Sequence, residues 1–125
     1  MVASAAGVIV IALAVAVVVG RNSSSGEPQL DAAAARGKQV ATAKGCLSCH
    51  STTGNRSEGP TWKGLYGSSK QLTAGTTVAA DDVYLTRAIK EPRSEVVAGY
   101  RAGMPVVPVT DDELLALIAY IKALA

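Results

Sequence analysis

Five residues constrain this chain more than any other feature: Cys46-Leu47-Ser48-Cys49-His50. Both cysteines and the single histidine of the 125-residue sequence fall within them. The spacing C-x-x-C-H is the attachment signature of c-type haem. The reason is geometric. Thiols at i and i+3 share one face of a helical turn and can form thioethers with the two vinyl groups of one haem edge, while the histidine that follows turns its ring toward the iron. Other readings stay open at this level. A thioredoxin-like redox pair needs a preceding strand and a βαβ pattern, and neither is visible. A disulfide between Cys46 and Cys49 would close a tiny loop and leave His50 unexplained, and an adventitious metal site is the remaining alternative.

The same scarcity excludes other chemistry. Two cysteines and one histidine cannot build a four-ligand Cys/His zinc cage. A peroxidase-like site would need a distal acid or base beside an open iron, and no second histidine exists to serve. Twelve basic against ten acidic side chains leave a net charge of only +2, far from the one-sided field of a nucleic-acid binder.

The charges are unevenly distributed, since every one lies at or beyond Arg21. Residues 2–19 form an apolar run softened only by Ser4 and Gly7. As a helix it would span about 27 Å, just short of a hydrocarbon core of roughly 30 Å. A cleavable signal peptide should begin with Lys or Arg, carry a shorter apolar region and end in an A-x-A-like site, whereas this run ends Val17-Val18-Val19-Gly20-Arg21. The reading adopted is one N-terminal transmembrane helix at residues 1–20, an uncleaved anchor or signal, with a cleavable signal peptide and the tail of a longer membrane protein as rivals. A flexible Ser/Gly/Pro linker follows at 21–29, and a folded domain at 30–125. Because c-type haem is attached outside the cytoplasmic membrane, the expectation is a single-pass protein with its haem domain on the periplasmic or extracellular side. A linker of about ten residues would hold that domain within roughly 17–35 Å of its anchor.

Within the domain, Asp31 can cap a helix that runs toward Gly45. A second helix is expected from about Asp81 to Lys90, using Val83, Leu85, Ala88 and Ile89, and stopping at Glu91 before Pro92. Thr110 followed by Glu113 forms a capping box, after which Leu114, Leu117, Ile118 and Ile121 recur at helical spacing. No β pattern stands out. The domain therefore reads as all-α with long loops, and a central haem would supply core that so few residues cannot supply themselves.

An iron held by His50 has a sixth position to fill. Met1 stands at the terminus of the apolar run, so Met104, in Ala102-Gly103-Met104-Pro105, is the only methionine available. A loop methionine is ordinarily core filler. Beside a haem motif it becomes a candidate second axial ligand, and His/Met ligation leaves no site for oxygen or substrate. That points to electron transfer rather than catalysis.

Over residues 30–125 the chain resembles the class I cytochrome c family. The resemblance rests on Gly37-Lys38, Cys46-Leu47-Ser48-Cys49-His50, Gly59-Pro60-Thr61-Trp62-Lys63-Gly64-Leu65-Tyr66-Gly67, Gly103-Met104-Pro105 and Ile118-Ala119-Tyr120-Ile121-Lys122, in that order. The third stretch is similar to the cytochrome c domain fused to subunit II of haem-copper oxidases. The resemblance implies three to five helices around a covalent haem, a Pro60 carbonyl that accepts a hydrogen bond from Nδ1–H of His50, and Trp62 and Tyr66 lining the haem pocket. It also implies that Gly37 and Tyr120 mark the crossing of the first and last helices, a contact expected to be looser because Ala41 stands where the family usually places an aromatic residue. The dinuclear copper centre of such a subunit needs further cysteines and histidines, which this chain lacks.

The function expected is a membrane-anchored mono-haem electron carrier in a respiratory chain, exchanging electrons with membrane-bound partners, a quinol-oxidising complex and a terminal oxidase. The alternative is a haem subunit or redox sensor fixed in a larger membrane complex. Lys44, Arg56, Lys63 and Arg101 lie near the haem-contacting segments and are candidates for steering an acidic partner, against the plainer reading of solvated surface charge.

Overall fold

A computed structural model describes residues 29–125. Three α-helices are present among them, α1 (Ala32–Ala43), α2 (Asp82–Lys90) and α3 (Asp111–Ala123), with a 3₁₀ turn at Cys46–Ser48. Each α-helix starts where a side chain accepts a bond from an otherwise unpaired amide. Asp31 accepts from Ala34 N at 2.8 Å and Asp81 from Tyr84 N at 2.8 Å. Thr110 and Glu113 exchange bonds reciprocally, at 3.2 and 2.9 Å.

Helices α1 and α3 cross in close contact because Gly37 has no side chain. A Cβ at Gly37 would stand 2.7 Å from Cβ of Tyr120 and would collide with the Ala116 carbonyl. Ala41, one turn further along α1, is completely buried. From α3, Leu114, Leu117, Ile118 and Ile121 all face the core, joined there by Trp62, Leu65, Leu72, Tyr84 and Leu85. The apolar positions of α3 read from the sequence are thus all buried, with Ala116 and Tyr120 buried beside them. On α2 the facing differs from expectation: Val83 is 61% exposed, and its neighbour Tyr84 is buried instead.

The expected fold class is corrected in two respects. The domain is not all-α, since β1 (Ser69–Gln71) and β2 (Thr77–Ala79) pair antiparallel, with Lys70 opposite Val78. Three residues per strand are too few to display a period-two pattern, and the connecting turn relies on Gly75 at φ +88. The second correction concerns the transmembrane helix and the single-pass membrane location. Among the described residues no helix is long and apolar enough to cross a membrane. The longest, α3, has 13 residues, about 20 Å where roughly 30 Å is needed. Residues 1–20, to which the anchor was assigned, lie outside the described residues.

Candidate functional site

Gly45, at φ +75, ends α1 by turning the chain in the left-handed region and leads into the 3₁₀ turn that carries the motif. The turn is tight, with Cys49 N and His50 N both donating to the Cys46 carbonyl, at 3.2 and 3.0 Å. Cys46 is half-buried, Cys49 is exposed, and no disulfide joins them. Burial pushes the Cys46 thiol up from its ordinary pKa, opposed by a backbone hydrogen bond and by Lys44.

The chain after His50 folds back on the motif. Gly59 N donates to Cys49 O and Trp62 N to Ser51 O, both at 2.8 Å, while Ser51 Oγ donates to Asn55 O at 2.8 Å. This closed loop brings the Pro60 carbonyl to 2.7 Å from Nδ1 of His50. Nδ1 therefore carries the proton and donates it, which leaves the Nε2 lone pair for a metal. Burial lowers the His50 pKa and the Pro60 bond raises it, with burial the larger effect, so the neutral ring is favoured. Trp62 stacks on the imidazole, ring centroids 5.4 Å apart at 27°, and meets Tyr120 edge-on at 6.0 Å. Gly59 is required at its position: a Cβ there would lie 2.5 Å from Cε1 and 2.8 Å from Nδ1 of His50.

Cys46, Cys49, His50, Pro60, Trp62 and Met104 all line one cavity of about 540 Å³. That volume lies in the range of cofactor sites. Tyr66 does not line it. Its ring lies under Lys122, whose ammonium is 4.8 Å from the ring centroid and 2.7 Å from Asp82. Tyr84, Leu85, Val97, Tyr100 and Ile121 are also on the wall, none of them assigned to it from the sequence. A signal for two of them was present: Tyr84, Leu85, Ala88 and Ile89 fall at i, i+1, i+4 and i+5, one face of a helix.

The residues fit a covalently held haem. Two thiols spaced by one turn and an imidazole with free Nε2 stand on the wall of a mostly apolar cavity, and one thioether lines the same cavity. The redox-dithiol reading needs a βαβ frame, whereas the sheet among the described residues is a single antiparallel hairpin.

Three of the four candidate steering charges are engaged locally. Lys44 pairs with Glu113 at 3.1 Å, and Arg101 with Glu58 at 3.6 Å. Arg56 donates to Gly99 O at 2.7 Å and lies over the Tyr100 ring. Lys63 is exposed.

The model of the family described as Cytochrome c matches residues 34–125. No curated protein matches the chain significantly.

Proposed function

The chain belongs to the cytochrome c family and binds haem c covalently through Cys46 and Cys49, and from that premise we propose that it is a mono-haem carrier passing single electrons along a respiratory chain toward a terminal oxidase. In this reading His50 and Met104 are the axial ligands, the donor is a quinol-oxidising complex, and the chain performs no catalysis of its own. The observation that carries it is the gathering of the sequence's sole imidazole and its one domain methionine on the cavity that also presents both thiols. The likeness of residues 59–67 to the cytochrome c domain of haem-copper oxidase subunit II supports an oxidase as acceptor.

When bound, the haem supplies a one-electron ferric/ferrous couple whose potential follows its ligands and their surroundings. The chain's residues set those surroundings. Hydrogen bonding from Nδ1 to Pro60 fixes the His50 tautomer and makes Nε2 the more basic. Stacking on Trp62 and the tight fit of Gly59 hold the ring in one orientation. Leu65, Leu85 and Ile121, nearly inaccessible to solvent, keep water from the inner wall. Met104, whose thioether lines the same cavity, would hold the iron together with His50 and so keep substrates from it.

Carbon monoxide added to the reduced holoprotein tests this reading. The wild type is expected to be low-spin and to bind little of it, and Met104→Ala to bind it readily. Rapid binding by the wild type would overturn the carrier assignment, and unchanged oxidised spectra in Met104→Ala would place another group at the sixth position.

A further inference from the structure

Between α2 and α3, from Glu91 to Thr110, the chain holds no named helix or strand. Its first half is fixed by backbone pairing to the hairpin: Thr73 N donates to Val96 O and Ala98 N to Gln71 O, each at 2.8 Å. Beyond Ala98 this support ends. Among the described residues, the hydrogen bonds that join residues 99–108 to other segments come from two cationic side chains. Arg56 Nη2 donates to the Gly99 carbonyl at 2.7 Å, and Lys44 Nζ donates to the Pro108 carbonyl at 2.9 Å. Pro105 and Pro108 have no amide proton to contribute. The Arg101–Glu58 pair, 92% and 74% exposed, is too solvated to add much.

We propose that Arg56 is the positioning residue for Met104, a latch that keeps the thioether within bonding distance of the iron. The inference rests on the reading of Met104 as an axial ligand. Arg56 suits the role because it is itself anchored on the histidine side, in the loop closed by the Gly59–Cys49 and Ser51–Asn55 bonds. Its guanidinium works on two neighbouring residues at once, donating to Gly99 O while lying 4.8 Å from the centroid of the Tyr100 ring. A planar fork can donate and stack together, which an ammonium does less well. The segment that presents His50 thereby also holds the loop that presents Met104, so displacement of one is resisted by the other.

Cyanide binding to the ferric holoprotein reads the latch directly. With a sulfur to be displaced first, the rate levels off at high cyanide, and the plateau is the rate at which the sulfur leaves. Arg56→Ala and Arg56→Gln are expected to raise that plateau about tenfold or more, the scale of losing one hydrogen bond from a charged donor. Arg56→Lys should recover part of the difference, and Arg93→Ala, which removes an equal charge from an exposed site, should stay within twofold of wild type. Amide hydrogen exchange over 99–104 should quicken in Arg56→Ala. A plateau within twofold of wild type in both Arg56→Ala and Arg56→Gln, or an equal rise in Arg93→Ala, would overturn the latch while leaving Met104 ligation standing. Cyanide binding to the wild type without any plateau would overturn the ligation itself and the latch with it.

Discussion

The two walls of the cavity are built differently. The histidine wall, residues 46–62, is closed by short-range bonds: Cys49 to Gly59, His50 to Pro60, Ser51 to Trp62 and Thr61. The methionine wall, residues 99–108, takes its support from side chains far away in the chain, Arg56 and Lys44. Local closure costs little loop entropy and gives a rigid ligand, whereas a suspended loop gives a ligand that can be released without unfolding the rest. The difference teaches that one small domain can present a fixed side chain and a conditional one to the same cavity; under the proposed ligation these would be the two ligands of the iron.

Gly59→Ala strikes the rigid wall hardest. A methyl group 2.5 Å from the imidazole must displace either the ring or the backbone, and a destabilisation of about 1–3 kcal/mol is expected. Denaturant unfolding of the holoprotein would register it, together with a shifted redox potential. A fully wild-type potential would show that the histidine wall yields as easily as the other. Lys44→Met is a milder probe of the suspended wall. It removes the bond to Pro108 and the pair with Glu113, both partly solvated, for about 1 kcal/mol. Amide exchange should quicken over 106–109 and hold steady over 51–61, and equal changes in both segments would erase the distinction.

The smallest effect is expected from acid. The Thr110 amide first, and Lys44 second, hold the Glu113 carboxyl below its ordinary range. A carboxylate whose folded pKa is depressed stabilises fully above its unfolded value and loses that contribution as pH falls through the folded one. The end of the methionine loop should therefore begin to loosen as pH falls below the ordinary glutamate value of 4.5. Exchange rates over 106–110 as a function of pH would follow it, and Glu113→Gln should flatten the dependence.

The same contrast governs what could be read from the sequence. Asp31 and Thr110 with Glu113 announced two of the helix starts because capping is a matter of three neighbouring residues. The haem motif was equally local. Pro60 was reached only through family resemblance, since a Gly-Pro pair on its own signals no more than a turn. Tyr66 is placed on the cavity wall by the same resemblance, yet its ring lies beneath Lys122, which pairs with Asp82, and off that wall. Val83 is the more hydrophobic of two neighbours on α2, yet the helical period set by Leu85 and Ala88 turns Tyr84 inward and leaves Val83 exposed. Arg56 and Lys44 resembled ordinary surface charge because their partners lie 43 and 64 residues away, a distance at which sequence pattern carries no information.

The crossing of α1 and α3 at Gly37 also has a bearing on the order of assembly. Joining these helices closes a loop of roughly 80 residues, for an entropic cost near 4 kcal/mol that is met once. Lys44 sits at the end of α1, and Pro108 and Glu113 flank the start of α3, so docking of the terminal helices delivers all three to one place. The Lys44 tether then forms at almost no further chain-entropy cost. Contact order counts so distant a pair as costly; here the helix crossing itself brings its members together, and the methionine loop is strung from a post that the crossing sets.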